Sequence, residues 1–193
     1  MRCNQISLGT AQFGSNYGIT NKKKISLSNV KKILSFASKN GIKYIDTAHS
    51  YGDAEEVLGK IGVKNWKISS KFPSIPKNKN PKNWIEKKFF ESLKRLKIKK
   101  VQSLFIHDAN QLKSYKFSKK IFDILEKIKR EGFIDKIGIS IYSPNIIKRV
   151  TSDFKLDIIQ APANIFDERI FSYDIQKIIQ KKKIELEIRS IFL

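Results

Sequence analysis

GTAQFGSNYG, residues 9–18, comes directly after the first apolar run of the chain, residues 6–10. A doubly wound dinucleotide-binding sheet sets a glycine-rich turn of the form G-x-G-x-x-G at that place. Here the glycines stand at positions 9, 14 and 18, which is a different spacing. Outward from this segment, short apolar runs alternate with amphipathic stretches of helix length, the pattern of a parallel sheet wrapped by helices. Strands are predicted at residues 6–10, 43–46, 66–71, 101–107, 134–140, 158–161 and 185–190. Helices are predicted at about residues 28–40, 54–60, 81–96, 118–131, 144–152 and 171–182, the first and fourth closed by Gly41 and Gly132. The polar residues of interest fall at the ends of different strands, where barrel enzymes build their sites. The pattern therefore predicts an α/β chain with a (β/α)8 TIM barrel in incomplete form, with about seven strands and six helices.

The 193 residues, 40% hydrophobic and 11% aromatic, suffice for one domain with a substantial core. The polar run PSIPKNKNP, residues 73–81, reads as a surface loop, so residues 1–193 are taken as a single domain. No run reaches the roughly 18 apolar residues of a membrane span, and the first ten residues lack the apolar core of a signal peptide. A cytoplasmic protein without a membrane partner is the expectation. Cys3 is the single cysteine, which excludes an internal disulfide and assigns that thiol no chemical role. The formal charge is +21, yet the lysines are spread along every predicted helix rather than gathered in one motif. That distribution reads as a solvated lysine-rich surface without a specific nucleic-acid partner. The rival, polyanion binding, predicts affinity that falls steeply with salt.

Four residues at or near strand ends carry the chemistry: Asp46, Tyr51, Lys71 and His107, in GIKYIDTAHSYGDAEEVLGK, KISSKF and SLFIHD. A carbonyl receiving hydride needs a proton donor for its oxygen. Tyr51 is the candidate donor. A phenol titrates near about 10, so a nearby cation that favours phenolate character would ease the transfer. Lys71 can be that cation, Asp46 can hold it by a charge-assisted hydrogen bond, and His107 can donate to the substrate oxygen. Each residue alone has a plainer reading, as a helix cap, surface packing or one lysine among many. His49, in the same loop as Tyr51, is assigned to loop structure or substrate contact.

The ordered blocks LGTAQFG (8–14), GIKYIDTAHSYGDAEEVLG (41–59), SSKF (69–72), LFIHD (104–108), IGISIYSP (137–144) and QAPANIFDER (160–169) resemble the aldo-keto reductase family across almost the whole chain. The resemblance implies an oxidoreductase that reduces a small-molecule aldehyde or ketone to an alcohol. It implies a nicotinamide cofactor, NADPH ahead of NADH. Carried over position by position, Ser140 and Gln160 would bond the nicotinamide carboxamide, Ser190 would line the pyrophosphate path, and the backbone at Gly9 and Thr10 would approach the nicotinamide ribose. Asp46 would border the same cofactor, and Asn164 would shape the pocket or brace its own turn. Ile141 stands where many members have asparagine, and Arg189 where many have a tyrosine that stacks on the nicotinamide; a guanidinium plane can stack as well. Family barrels continue beyond the point corresponding to Leu193, so the resemblance implies a C-terminally truncated barrel with an unclosed seam, open to self-association. The alternative is a noncatalytic nucleotide-binding or interaction protein derived from such a barrel.

Overall fold

The computed structural model describes residues 6–17 and 23–192; Cys3 and Leu193 lie outside them. The chain divides into two compact units, one of residues up to Phe72 together with Glu86–Gln102, the other of Pro73–Ile85 together with the residues from Ser103 onward.

The first unit opens with β1 (Ser7–Gly9) and a four-residue helix α1 (Ala11–Gly14), then α2 (Leu27–Lys39) and β2 (Tyr44–Asp46). It continues with α3 (Ala54–Ile61), β3 (Lys67–Phe72) and, from Glu86, the second part of α4 (Pro81–Leu96). α2 forms because Ser26 accepts a hydrogen bond from the Asn29 amide at its start, while Val30, Leu34 and Ala37 recur on one buried face. Its end is marked by Gly41, whose φ of 81° suits glycine. β1, β2 and β3 pair in parallel, with Gly9 beside Asp46 and Asp46 beside Ser69. Ile45 and Ile68, buried neighbours across that ladder, anchor the core of the unit. Past the ends of these strands, two backbones cross at Gly14 and Gly52. A Cβ on Gly14 would lie 1.9 Å from Tyr51 O and 2.2 Å from Ala54 N, and one on Gly52 would lie 2.1 Å from Gly14 O. Gly52 also has a φ of +57°. Gly14→Ala is therefore expected to cost about 1–3 kcal/mol by overpacking and to displace the Tyr51 backbone, checked by urea unfolding.

The second unit holds α5 (Tyr115–Arg130), β5 (Ile134–Ser140), α6 (Asn145–Asp153), β6 (Ile158–Pro162), α7 (Tyr173–Lys181) and β7 (Glu185–Arg189), and from Ser103 the greater part of β4 (Val101–Ile106). Ser114 caps α5 by accepting from the Phe117 amide, and Ile121, Phe122, Leu125 and Ile128 form its buried stripe. Phe122 stacks on Phe154 at 4.3 Å. β5, β6 and β7 pair in parallel, with Ser140 beside Gln160, Gln160 beside Glu187 and Pro162 beside Arg189.

All seven expected strands are present, and the six expected helices are α2 to α7. The sequence reading missed α1, placing it in a loop, because four residues with Phe13 as their sole buried member show no helical period. It also began α5 three residues late, at 118 rather than Tyr115, since the Ser114 cap sits before the apolar stripe begins. Among the described residues no helix is long and apolar enough to cross a membrane.

Candidate active site

Lys71 is the centre of a polar cluster in the first unit. It sits on β3 with its side chain 1% exposed, a position that a bare ammonium could not occupy. Its Nζ donates to Asp46 Oδ1 at 2.6 Å and Oδ2 at 2.7 Å, to the Thr47 carbonyl at 3.1 Å and to the Tyr51 phenol oxygen at 3.3 Å. The strand register explains the meeting. Asp46 pairs with Ser69, and Lys71, two residues further along β3, projects from the same face. The ammonium also lies 4.9 Å from the centre of the Tyr51 ring.

Two opposing effects set the protonation of Lys71. Burial pulls its pKa down, but the Asp46 carboxylate and then Tyr51 outweigh it, and the net direction is upward. Tyr51 also moves upward. Burial is the largest cause, the nearby Lys71 charge opposes it, and the Asp46 carboxylate pushes the same way as burial. The cation does favour phenolate, as expected, but burial outweighs it and the net direction is upward. Asp46 partly opposes the Lys71 field at the phenol, and desolvation by burial is the larger effect. Tyr51 is a protonated phenol at neutral pH.

The phenol oxygen accepts from Lys71, and an ammonium has no lone pair to accept in return. The phenolic hydrogen is thus directed away from Lys71. Nearby, Thr10 is fully buried and clamps the end of β1 to Asp46, its amide at 3.1 Å and its hydroxyl at 3.0 Å from the Asp46 carbonyl. Gly9, one residue earlier, has open space where a Cβ would stand.

A second polar cluster lies in the other unit. Ser140 Oγ is 3.3 Å from Gln160 Oε1, and Gln160 Nε2 donates to Glu187 Oε1 at 2.7 Å. Ser140 and Gln160 are both buried. Arg189 donates to the Ile141 carbonyl at 3.1 Å and to Ser190 Oγ at 3.4 Å, and its guanidinium lies 4.4 Å from the centre of the Tyr142 ring. Ser190 has a φ of 58°, and its carbonyl accepts from Asn164 Nδ2 at 3.2 Å. Asn164 Oδ1 takes the Phe166 amide at 2.9 Å, so the side chain braces its own turn as well.

The structure thus brings Asp46, Tyr51 and Lys71 together, with Gly9 and Thr10 beside them, and brings Ser140, Arg189 and Ser190 to the ends of β5 and β7, with Gln160 within β6 between those strands. His107 directly follows β4 and belongs to the second unit. Three members escaped the sequence reading. Thr47 contributes a carbonyl, which leaves no side-chain signal. Glu187 shares the alternation of β7 with Arg189, so a period of two places it on the same face. Tyr142 stands inside the quoted block IGISIYSP, where its ring could have been read as a stacking partner for a cation.

A family model described as the aldo/keto reductase family matches residues 5–191. No curated protein matches the chain. Among solved structures, an aldo-keto reductase from Bacillus halodurans in its holo form shares 21% identity, with a TM-score of 0.78 over 95% of this chain and 61% of that one. A Pseudomonas aeruginosa protein described as an aldo-keto reductase shares 23% identity, with a TM-score of 0.75 over 94% of this chain and 71% of that one. An aldo-keto reductase from Bombyx mori in complex with NADP shares 20% identity, with a TM-score of 0.71 over 96% of this chain and 62% of that one. The chain therefore spans between 61% and 71% of the length of these three structures. The fold is that of an incomplete (β/α)8 barrel of the aldo-keto reductase type, and the chain belongs to the aldo/keto reductase family of NAD(P)H-dependent oxidoreductases.

Proposed function

We propose that the chain acts in the NADPH-dependent reduction of an aldehyde or ketone to an alcohol, with Tyr51 as the proton donor. One observation carries this reading: the Lys71 ammonium is bonded to Asp46, the Thr47 carbonyl and the Tyr51 oxygen at once, which leaves a protonated phenol whose hydrogen points elsewhere. Ser140, Gln160 and Arg189 fit a nicotinamide dinucleotide, since they offer a hydroxyl, an amide and a cation bonded to neutral oxygens. A reduced nicotinamide, when bound, supplies the hydride that adds to the carbonyl carbon. Tyr51 gives its proton to the carbonyl oxygen and becomes a phenolate 3.3 Å from Lys71 Nζ. The ammonium stabilises that anion until a solvent proton restores the phenol. His107 is assigned to orient the substrate oxygen on the family resemblance alone. Gly9, Thr10, Asp46 and Ser190 are assigned to the cofactor on the same ground, in a cytoplasmic setting.

Titrating the chain with NADPH by fluorescence and then following nicotinamide absorbance with a panel of aldehydes tests the reading. Saturable binding with aldehyde-dependent oxidation is expected; binding without turnover would favour the noncatalytic nucleotide-binding alternative. A pH profile adds a second check. A donor whose folded pKa is raised keeps its proton up to that value and loses it above. Turnover is therefore expected to show no phenol-dependent decline until the pH exceeds about 10.

A further inference from the structure

The loop joining β2 to α3 carries Tyr51, and α4 holds that loop. On α4, Lys88, Glu91, Ser92 and Arg95 recur at helical spacing and share one face. Glu91 and Arg95 of this face grip His49. Its side chain is 11% exposed, and Nε2 lies 3.0 Å from Glu91 Oε2, which also accepts from Lys88 Nζ at 2.9 Å. Arg95 Nη1 donates to the His49 carbonyl at 3.5 Å, and the His49 amide donates to the Lys71 carbonyl at 3.1 Å. One loop residue is thus held by its ring, its carbonyl and its amide, and the last of these holds it to the residue bearing the central ammonium. Only Ser50 separates it from Tyr51.

Glu91 is held down to about 2, by Lys88 first and then by His49, so it is a carboxylate throughout the working range and can only accept. Burial lowers His49, partly offset by its bond to Glu91 and reinforced by Arg95 and Lys88. The imidazole is neutral at neutral pH, and its hydrogen sits on Nε2 because Glu91 demands a donor there. Nε2, committed to α4, is not presented to substrate, which favours the reading of His49 as loop structure.

We propose that His49 is a positioning residue for Tyr51: its imidazole, clasped by Glu91, ties the loop to α4 and sets where the phenol stands against Lys71. The role in turnover rests on the reading of Tyr51 as proton donor, whereas the clasp can be tested without it.

The chain is labelled with carbon-13 in its tyrosine rings, and the Tyr51 signal is identified by its absence in Tyr51→Phe. In the unaltered chain that phenol is expected to titrate above its ordinary value. In His49→Ala and in Glu91→Ala its midpoint is expected to fall toward that value as the loop opens to water. His49→Gln is expected to restore it, because a glutamine amide nitrogen reaches the place of Nε2; His49→Asn is expected not to, because its amide reaches only the place of Nδ1. The double variant His49→Ala/Glu91→Ala is expected to match either single one, since both sever the same contact. In turnover, His49→Ala is expected to lower kcat about 10- to 100-fold with NADPH affinity unchanged, the size a misplaced catalytic group produces. An unmoved Tyr51 signal in both folded single variants, additive effects in the double, or equal rescue by Asn and Gln would overturn the proposal. Absent turnover in the unaltered chain, with the titration shifts as described, would count against the reductase reading and support the clasp.

Discussion

Tyr51→Phe is expected to lower turnover by about 10²–10⁴-fold, the range that a positioned proton donor contributes. The substitution removes one oxygen and leaves the rest of the cluster in place. Lys71 keeps both Asp46 oxygens and the Thr47 carbonyl, losing only its longest bond, so stability is expected to change by no more than about 1 kcal/mol. NADPH affinity is expected to stay the same, because the bond removed is the one to Lys71, a residue not assigned to the cofactor. Steady-state rates with a saturating aldehyde, set beside NADPH fluorescence titrations, check both halves. Equal turnover in the variant would remove Tyr51 from the role.

Lys71→Met acts on the fold as well as on the chemistry. It strips the cation from Asp46, whose side chain is 15% exposed, and leaves the Thr47 carbonyl without its donor. Removing one partner of a buried ion pair costs about 3–5 kcal/mol, much of it from the stranded opposite charge. The pH dependence has a definite direction. Lys71 titrates above its ordinary value near 10.5 in the folded chain, so its contribution is fully present below that value and is lost as pH rises through the folded one. The stability difference between the two chains is therefore expected to show no Lys71-dependent change between neutral pH and the ordinary lysine range, and to narrow above it. Urea unfolding at a series of pH values measures this. Turnover is expected to fall too, since the phenolate left after proton transfer would face Asp46 with no cation beside it.

Much of the site could be read from the chain because its members lie at strand ends. In a parallel sheet such residues share an edge, and alternation along β3 puts Lys71 on the side that Asp46 faces. The family blocks then supplied the roles. Less legible were contacts that depend on backbone atoms or on distant partners. The Thr47 carbonyl, the Glu91 clasp on His49 and the Tyr142 platform under Arg189 join residues whose separation in sequence follows no period. The net protonation of Tyr51 was illegible for a related reason. A cation in the sequence suggests a lowered phenol, but only the packed structure reveals that burial raises it by more than that cation lowers it. α1 was lost because a single turn buries one side chain and so writes no pattern.

The crossing of Gly14 and Gly52 limits how the segment bearing Tyr51 can vary. A methyl group on either residue meets main-chain atoms of the other segment, which no rotamer change can move aside, and altering both at once only doubles the collision. The two glycines therefore act as a hinge pin through which both segments are threaded, and variation around them is expected to leave both unchanged.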